Sequence, residues 1–377
     1  MHLTYKDVNE AFRGLVSGLN SGEIQTVEED SRAGKVRRVL EPVTITYLKP
    51  RRRVLLNRER DANPFFHLFE SLWMLAGRND VESLSRYNSK IGKIASDDGV
   101  TFNGAYGYRW RHKEWWDDKQ THPGDPWIEM TDQLDVLIEH LKKNPNSRRA
   151  VLQMWNVEDD LLKIDSSNDV CCNTAVYFSI REEKNWEAEK KMAMPMPPIR
   201  YFDMTVTNRS NDVVWGTFGS DVVNLSFLQE YVACCLDAEV GVYNQFSNNL
   251  HFYLDNWKPD AWLGDYHADA FTLPPVSYDR EVFEAIHLVR NKDIFDQEVK
   301  QFVDSKFPWM TPWMEPFLND VAAPMAKAFD FHKQRRYEDA LFSISDMAGV
   351  ASDWKAEARR WLIARRNKYE ESQKKGE

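Results

Sequence analysis

Cysteine is scarce in this chain, whose 377 residues include four cysteines in two adjacent pairs, Cys171 with Cys172 and Cys234 with Cys235. Adjacent cysteines rarely bond to each other, and a disulfide scaffold would need more of them. We therefore expect a reduced, cytoplasmic compartment, which for a viral protein is that of its host. The cysteine spacing does not match a zinc site, and no metal is expected.

The sequence also lacks long apolar runs and an excess of positive charge. No run is long enough to cross a bilayer, and no basic start followed by an apolar segment indicates a signal peptide. The formal net charge is -10 at pH 7. Such a chain would repel a nucleic-acid polymer, whereas a local group of arginines could still hold one small phosphate.

Hydrophobic residues make up 42% of the chain, and aromatic residues are plentiful, with 14 Trp, 14 Tyr and 20 Phe. This composition predicts a large packed core and argues against disorder. Helices are predicted over residues 7–21, 65–76, 128–142 and 222–236. Strands are predicted over residues 43–48, 53–56, 150–155, 174–181, 201–208 and 250–253. Several strands adjacent in sequence indicate an α+β fold around one main sheet.

Two further segments stand apart from this pattern. Residues 182–198 are polar and then proline-rich, which predicts an exposed excursion between two strands. From residue 279 onward the sequence is charged and helical, and residues 337–371 have a helical periodicity. This last segment is predicted to be an added helical layer or a dimer contact.

Four arginines are candidates for binding a phosphate. Arg148 and Arg149 lie where a helix leads into a strand, and guanidinium groups make forked, charge-assisted bonds to phosphate oxygens. Taken alone, this pair is more simply interpreted as two solvated charges. Arg209, which follows a strand, and Arg32, in a glycine-containing turn, are the other candidates.

Cys172 lies between the polar loop 165–169 and the strand 174–181. A thiol at such a junction can be partly exposed and activated by nearby cations, which would make it a nucleophile. An inert, buried cysteine is the alternative, and Cys171 competes for the role. Cys234 and Cys235 fall in the apolar helix and are predicted to be packing residues.

Four more side chains could bind or react. Glu70 lies among apolar residues of its helix, where a carboxyl is costly to bury without partners or a raised pKa; it is a candidate acid–base group unless it faces water. Asp221 opens a helix, where an aspartate commonly caps the helix and can still bind a ligand. His251 and Tyr253 alternate along an extended segment and share a face, as a binding pair or a structural one.

Together, and in this order, these residues resemble the thymidylate synthase superfamily. The segments that carry the resemblance are 70–77, 103–111, 147–156, Cys172, 208–216 and 251–253, within residues 30–257. The resemblance implies a thymidylate synthase-like α+β fold with a central mixed sheet flanked by helices. Residues 1–275 would form the catalytic domain, and residues 276–377 a helical extension packed on the same domain.

The resemblance also implies roles and partners. It implies Cys172 as nucleophile and a homodimer in which Arg148 and Arg149 reach the partner's active site. The expected phosphate ligands are Arg209, Ser210 and Arg32, and the expected sugar ligands are His251 and Tyr253. The expected carbon donor is 5,10-methylenetetrahydrofolate, bound as a co-substrate near Asp212, Gly216 and Glu70.

The chain departs from the family pattern at several places. Asn173 follows the nucleophile where the family usually has histidine, and Asn208 precedes the phosphate arginine where it has glutamine. The family's tryptophans between the glutamate helix and the Tyr106 loop have no counterpart, and residues 87–94 lie there instead. A long charged helix replaces the short closing C-terminal segment. These departures weaken the expectation of a methyl product.

Asp221 is the departure that bears on the base. With one residue inserted in 217–220, it falls where thymidylate synthases carry the asparagine that recognises uracil. A carboxylate accepts from cytosine N4, and from N3 once that atom gains a proton, but it opposes uracil O4. In this respect the chain resembles the deoxycytidylate hydroxymethylases of the superfamily. The sequence therefore predicts dCMP as substrate, and Asp221→Asn should shift the preference toward dUMP.

The mechanism predicted from these residues begins with addition of Cys172 to C6 of the base. C5 then accepts the one-carbon unit and loses its proton, with Tyr106 and water as candidate relays. Water, organised by Glu70, would give a hydroxymethyl product and leave tetrahydrofolate. The alternatives are methylation of dUMP or dCMP, hydroxymethylation of dUMP or CMP, a catalytically silent nucleotide-binding relative, and an interaction protein that uses the helical tail.

Overall fold

The structure is a computed structural model that describes residues 1–116, 128–264, 278, 286–347 and 352–374. The helices are α1 Val8–Ser21, α2 Pro64–Leu75, α3 Val81–Ser85, α4 Ile91–Ala95, α5 Tyr106–Arg111, α6 Gln133–Lys143, α7 Trp186–Met192, α8 Asp221–Cys235, α9 Pro259–Gly264, α10 Lys292–Asp304, α11 Ala323–Lys333, α12 Tyr337–Ser345 and α13 Ser352–Lys374. The strands are β1 His2–Tyr5, β2 Thr26–Ser31, β3 Gly34–Val39, β4 Val43–Tyr47, β5 Lys113–Trp116, β6 Ile128–Thr131, β7 Val151–Gln153, β8 Asn173–Glu183, β9 Ile199–Asn208, β10 Asn211–Asp212, β11 Glu239–Ser247 and β12 Leu250–Tyr253. The predicted α+β class is confirmed.

A six-stranded mixed sheet, in the order β1-β4-β11-β9-β8-β7, forms the centre of the molecule. Its strands alternate between a buried and a more exposed face, as the period of two requires. On β9, Phe202, Met204 and Val206 are fully buried. On the opposite face Tyr177 of β8 is 47% exposed and Val151 of β7 is 40% exposed. One face of the sheet therefore carries the core, and the other is only partly covered by the described residues.

Helices α2 and α8 pack together beneath this sheet and carry the acidic residues singled out above. The Asn63 side chain caps α2 by accepting hydrogen bonds from the Phe65 and Phe66 amides, at 3.1 and 3.2 Å. α8 is buried around most of its circumference. A polar side chain on either helix is therefore held inside the molecule, where it needs a partner or a ligand.

Two predictions of local structure are wrong. Residues 53–56 form no strand, because their backbone bonds to side chains: Asn9 Nδ2 donates to Val54 O (3.0 Å), and Leu56 N donates to Asn9 Oδ1 (2.7 Å). The helix predicted from residue 128 begins at Gln133, where the Asp132 side chain caps it. The residues before that cap pair as strand β6 with β5.

The C-terminal segment is helical, as predicted, but residues 337–371 divide between α12 and α13 instead of forming one helix. Of these two helices, α13 packs against α2, where the centroids of the Phe65 and Trp361 rings are 5.4 Å apart. Helix α12 packs against α11 and α13. The predicted domain boundary between residues 275 and 276 lies outside the described residues. Within the described ranges, none of the helices has the length and apolarity that crossing a bilayer requires.

Candidate active site

A cavity of about 220 Å³ lies between α2, the 104–106 segment, the loop that precedes β8 and the beginning of α8. Its polar or reactive side chains are Glu70, Tyr106, Asp169, Cys171, Cys172, Ser220, Asp221 and Asn224. Its apolar wall includes Trp73, Met74, Leu84, Ile91, Ala95, Phe102 and Trp215. Four residues predicted as catalytic, Cys172, Glu70, Tyr106 and Asp221, therefore line one space.

Cys172 lies beside a cation. Arg209 Nη2 is 3.6 Å from Cys172 Sγ, while the same guanidinium donates to Cys171 O at 2.9 Å and to Val170 O at 2.7 Å. Burial raises the pKa of the Cys172 thiol, and the charge of Arg209 opposes that rise by favouring the thiolate. Negative charge on Asp221 raises the same pKa further.

Cys171 has a different environment. It is 1% exposed, and its thiol donates to Asn173 O at 3.0 Å. Burial raises its pKa well above the usual value. Of the two neighbours, Cys172 has both the greater exposure and the direct guanidinium contact, as a nucleophile requires.

A buried ion pair holds the loop that carries both cysteines. The Arg109 guanidinium pairs with Asp160, which is fully buried, and also donates to Met154 O (2.7 Å) and Asn103 O (2.8 Å). Asp160 Oδ1 in turn accepts from the Cys171 amide at 2.9 Å. Three segments that meet at the cavity are thus bonded through one arginine and one aspartate, which fixes the position of the thiol.

Glu70 is 9% exposed and has specific partners inside the molecule. Asn224 Nδ2 donates to Glu70 Oε2 at 2.9 Å, and the oxygen of the same amide accepts from the Ser71 hydroxyl at 2.7 Å. Burial raises the pKa of Glu70, and the bond from Asn224 partly opposes the rise. A carboxyl with this balance can give or take a proton nearer to neutral pH than a free glutamate can.

Asp221 is 8% exposed and follows a π-helical turn, Val213–Ser220, in which Gly219 has non-helical angles (φ -102°, ψ -105°). A π-helical turn accommodates an extra residue without breaking the helix that follows it. Burial raises the pKa of Asp221 to about 7, with a further contribution from the charge of Glu70. Near neutral pH this side chain is therefore divided between the neutral acid and the carboxylate.

Tyr106 begins α5 and is half-buried in the cavity wall. Its neighbour Gly107 allows α5 to approach α2, since a Cβ at that position would lie 2.0 Å from Met74 O. Burial raises the pKa of the Tyr106 hydroxyl well above its usual value, and the charge of Asp221 raises it further. The group remains a neutral phenol, which can pass a proton through its hydroxyl without becoming an anion.

The other predicted phosphate ligands lie outside the cavity wall. Arg148 and Arg149 are exposed just before β7, at the edge of the central sheet. Arg32, on the turn between β2 and β3, donates to Asn168 Oδ1 and Asn168 O, both at 3.1 Å. Ser210 is half-buried directly after Arg209. Within one chain, Arg209 therefore lies beside Cys172, whereas Arg148 and Arg149 are exposed and do not contact the cavity.

The segment after Ser210 carries residues that were predicted to bind the folate. Asp212 Oδ1 accepts from the amides of Val214 (2.9 Å) and Trp215 (2.5 Å), whereas Asp212 Oδ2 is buried without a hydrogen-bond partner among the described residues. Trp215 is 58% exposed, and Gly216 lines the cavity. Asp212 does not line this cavity, and the contact of Asp212 and Gly216 with a folate remains a prediction.

His251 and Tyr253 share one face of β12, as predicted, with ring centroids 5.6 Å apart. His251 pairs in register with Asp212 of β10. Its Nδ1 lies 3.1 Å from Asn249 Oδ1, and burial lowers its pKa, so the ring is neutral at pH 7. Neither side chain lines the cavity, and their predicted contact with a sugar remains a prediction.

Asn224 and Asp169 are two of the polar cavity residues that were not predicted as functional. Asn224 lies three positions after Asp221 on α8, and that helical spacing places both on one face. Asp169 lies three positions before Cys172, at the end of the polar loop. Asn224 could have been predicted from its helical spacing to Asp221. Nothing in the local sequence pattern distinguishes Asp169 from the other acidic residues of its loop. In the described residues, no group of three or more His, Cys, Asp or Glu side chains could hold a metal.

Comparisons with known proteins agree with this geometry. The family model described as thymidylate synthase matches residues 32–304. The chain is 38% identical over 365 residues to a deoxyuridylate hydroxymethyltransferase of Pseudomonas phage M6, which covers 95% of this chain and 93% of that protein. It is also 38% identical to a deoxyuridylate hydroxymethyltransferase of Bacillus phage SP01, over 59% of this chain and 52% of that protein. A thymidylate synthase of Symbiobacterium thermophilum is 26% identical over 49% of this chain and 57% of that protein.

Proposed function

The chain belongs to the thymidylate synthase family, and from that premise we propose that it transfers a hydroxymethyl group to C5 of dUMP. Enzymes of this family bind a nucleotide and methylenetetrahydrofolate, transfer a one-carbon unit and are typically dimers. The observation that carries the proposal is the single cavity in which Cys172, Glu70 and Asp221 meet. Family membership does not determine the product, the base or the subunit arrangement, and each of these depends on particular residues of this chain.

The first step is addition of the Cys172 sulfur to C6 of the pyrimidine. The thiol is partly buried, so the Arg209 guanidinium at 3.6 Å is the group that stabilises the thiolate as it forms. Addition at C6 makes C5 nucleophilic, as in other covalent catalysis by cysteine. Methylenetetrahydrofolate, when bound, would supply the one-carbon unit. C5 bonds to that carbon and loses its proton, the bond from the carbon to the folate nitrogen breaks, and tetrahydrofolate leaves, so that an exocyclic methylene remains on the base.

The fate of this methylene decides the product. Water gives a hydroxymethyl group, whereas hydride gives a methyl group. Beyond Glu70 the cavity wall contains Ile91 and Ala95 of α4 in the region where the family tryptophans are missing. Side chains smaller than tryptophan at these positions would give water access to the methylene, and the hydroxymethyltransferase names of the phage relatives support the same outcome.

The base is the point at which we revise the expectation from the sequence. A carboxylate at Asp221 would oppose uracil O4, but the neutral acid has one oxygen to accept from N3–H and one O–H to donate to O4. Burial together with the charge of Glu70 raises the pKa of Asp221 to about 7, so the neutral form is available near neutral pH. The deoxyuridylate names of both phage relatives favour dUMP as well.

A second candidate substrate is dCMP, which the ionised form of Asp221 favours. The carboxylate accepts from N4 and stabilises a proton on N3 as that atom becomes more basic after C6 addition. Both candidates use the same thiol, the same cavity and the same co-substrate. They differ in the protonation state of one side chain, which makes the choice measurable as a function of pH.

The product can be tested by absorbance. We expect turnover of dUMP with methylenetetrahydrofolate to give 5-hydroxymethyl-dUMP without the absorbance increase of dihydrofolate, because water rather than hydride adds to the methylene. The control is a methylating enzyme of the same family under identical conditions, which must show that increase. Stoichiometric dihydrofolate from this protein would refute the hydroxymethyl assignment and support methylation.

We propose that the protein is a homodimer in which Arg148 and Arg149 bind the phosphate in the partner's active site. Both side chains are exposed at the edge of the central sheet, and the outer sheet face that carries Tyr177 and Val151 is the surface a second copy would cover. Closed two-fold symmetry would place each arginine pair across the interface. Arg209, Ser210 and Arg32 would then supply the phosphate contacts from within the chain.

Subunit complementation tests this arrangement. The Cys172→Ala variant and an Arg148→Ala, Arg149→Ala double variant should each be nearly inactive. Co-expressed in equal amounts, they should recover about a quarter of the unsubstituted activity, because half of the dimers are mixed and each mixed dimer has one intact site. Co-expression of Cys172→Ala with Arg209→Ala is the contrasting case. This second pairing should recover nothing, because Cys172 and Arg209 belong to the same chain's site. Absence of recovery in the first pairing would show that the arginine pair acts within its own chain or not at all, and recovery in the second would show that Arg209 acts across the interface.

A further inference from the structure

Asp169 is the third carboxyl group of the cavity and has no part in the reaction as described so far. It lies at the end of the 165–169 loop, three residues before Cys172, and lines the same space as Glu70 and Asp221. Its own main chain is held on both sides: Asn103 Nδ2 donates to Asp169 O at 2.9 Å, and Asp169 N donates to Ser167 Oγ at 3.0 Å. The side chain therefore projects from a fixed backbone.

The carboxylate itself is also fixed. Gly104 N donates to Asp169 Oδ2 at 2.7 Å. The other oxygen lies against the same glycine, because a Cβ on residue 104 would be 2.7 Å from Asp169 Oδ1. Any larger residue at position 104 would displace the Asp169 carboxylate from this position beside the Gly104 backbone. One oxygen is thus anchored by a backbone amide, and the other is left to accept from something in the cavity.

The other two carboxyl groups of the cavity have different tasks. Glu70 is bonded to Asn224, which in turn bonds to Ser71, so that its position is tied to the α2–α8 contact. Asp221 faces the edge of the base in the proposed function and is needed there in its neutral form. Addition of water to the methylene requires a base that takes a proton from that water.

We propose that Asp169 is that base. This inference rests on the proposed function and deepens it. Water oxygen bonds to the exocyclic carbon, one water proton passes to Asp169 Oδ1, and the carbon–carbon π pair moves into the ring as an enolate. The enolate then expels the Cys172 sulfur from C6, which restores the C5–C6 double bond. The proton on Asp169 returns to solvent or to the departing thiolate, so that atoms and charge balance.

The surroundings of Asp169 suit a proton acceptor. Burial raises its pKa, and the bond from the Gly104 amide opposes that rise. A carboxylate that is more basic than one in water takes a proton more readily from an attacking water molecule. The neighbouring Asp165 is exposed on the same loop, outside the cavity, and provides a matched control.

The test uses two reactions that need no folate. The reverse of hydration removes hydroxide from 5-hydroxymethyl-dUMP, so that repeated reversal in ¹⁸O-labelled water exchanges the hydroxymethyl oxygen. Debromination of 5-bromo-dUMP with added dithiothreitol requires addition of Cys172 to C6 but no water at the methylene. The first reaction depends on Asp169 in this proposal, and the second does not.

We expect Asp169→Asn to slow oxygen exchange by about 100-fold or more, in the range of a lost general base, and not to slow debromination, because loss of the Asp169 charge does not oppose formation of the Cys172 thiolate. Asp165→Asn should leave both rates unchanged. In Asp169→Asn the amide oxygen can still accept from the Gly104 amide, so the side chain keeps its position. The Asp169→Glu variant retains a carboxylate and should recover part of the oxygen exchange.

Three outcomes would overturn the assignment. If exchange and debromination fall together in Asp169→Asn, the residue only supports the cavity; if exchange persists at the unsubstituted rate, another group is the base. If the unsubstituted protein exchanges no oxygen although it debrominates 5-bromo-dUMP, the hydroxymethyl function itself fails and the inference falls with it. The results therefore separate failure of this step from failure of the function.

Discussion

Replacement of Cys172 by alanine is expected to lower turnover of dUMP on the order of 10⁵-fold or more, as loss of a covalent nucleophile does in other enzymes. Every later step depends on the bond between sulfur and C6, so no remaining group can substitute. Binding of dUMP should persist, because Arg209 keeps its bonds to the carbonyls of residues 170 and 171. Turnover, debromination of 5-bromo-dUMP and calorimetric binding of dUMP together measure this prediction.

The matched control is Cys171→Ala. Its thiol bonds to Asn173 O and is buried, so the substitution should cost about 1 kcal/mol of stability and leave debromination of 5-bromo-dUMP measurable. If Cys171→Ala is inactive and Cys172→Ala is active, the nucleophile is the other cysteine. Equal and partial losses in both variants would indicate that the loop has been displaced and that neither thiol is the nucleophile.

Asp221→Asn is expected to raise the ratio of kcat/KM for dUMP to that for dCMP by between about 100- and 1,000-fold at a pH above 7. The amide can accept from N3–H and donate to O4, as the neutral acid does, but it lacks the charge that stabilises a proton on N3 of cytosine. The substitution removes the carboxylate that opposes uracil and weakens the cytosine adduct at the same time.

The pH dependence separates this role from a structural one. With a pKa of about 7, Asp221 is mostly neutral below that pH and mostly ionised above it. The unsubstituted protein should therefore lose dUMP turnover relative to Asp221→Asn as pH rises above 7, by up to about tenfold per pH unit. Ionisation of Asp221 also raises the pKa of Cys172, so the unsubstituted protein loses thiolate over the same pH range and the ratio changes in the same direction. A ratio that is independent of pH would exclude Asp221 as the group that recognises the base.

Much of the fold follows from local sequence patterns. The helix α2 has an asparagine cap, Pro64 in its first turn and a mostly apolar sequence, and α8 is also rich in apolar residues, so both were predicted close to their observed bounds. The strands β8 and β9 were predicted because alternation of buried and exposed side chains appears directly in their sequence. Prediction was wrong at residues 53–56, where side chains of distant residues bond to the backbone.

The site was predictable in part. Cys172, Glu70, Tyr106 and Asp221 were selected because their chemistry and order match a known family, and the fold brings all four to one cavity. Asp169 was not predicted, because its placement depends on the Gly104 amide 65 positions earlier in the chain. The neutral form of Asp221 depends on burial and on Glu70 of another helix, and neither is visible in the residues around position 221. For that reason the sequence alone indicated dCMP, and dUMP is proposed only when the burial of Asp221 and the names of the phage relatives are taken into account.

In the proposed reaction, the two acidic residues Asp221 and Asp169 have different tasks. Asp221 contacts the base, and its protonation state decides which pyrimidine is accepted. Asp169 contacts the water, and its anchored carboxylate decides whether that water reacts. Both negative charges raise the pKa of Cys172, so a neutral Asp221 also favours formation of the thiolate. Recognition of uracil and activation of the thiol are therefore favoured by the same protonation state.

The most direct test is mass spectrometry of the products that the unsubstituted protein forms from an equimolar mixture of dUMP and dCMP with methylenetetrahydrofolate at neutral pH. We predict that dUMP is consumed first and gains one CH₂O unit, with tetrahydrofolate as the second product. A nucleotide that gains only CH₂, with dihydrofolate beside it, would contradict the proposed reaction. Preferential consumption of dCMP would contradict the proposed base.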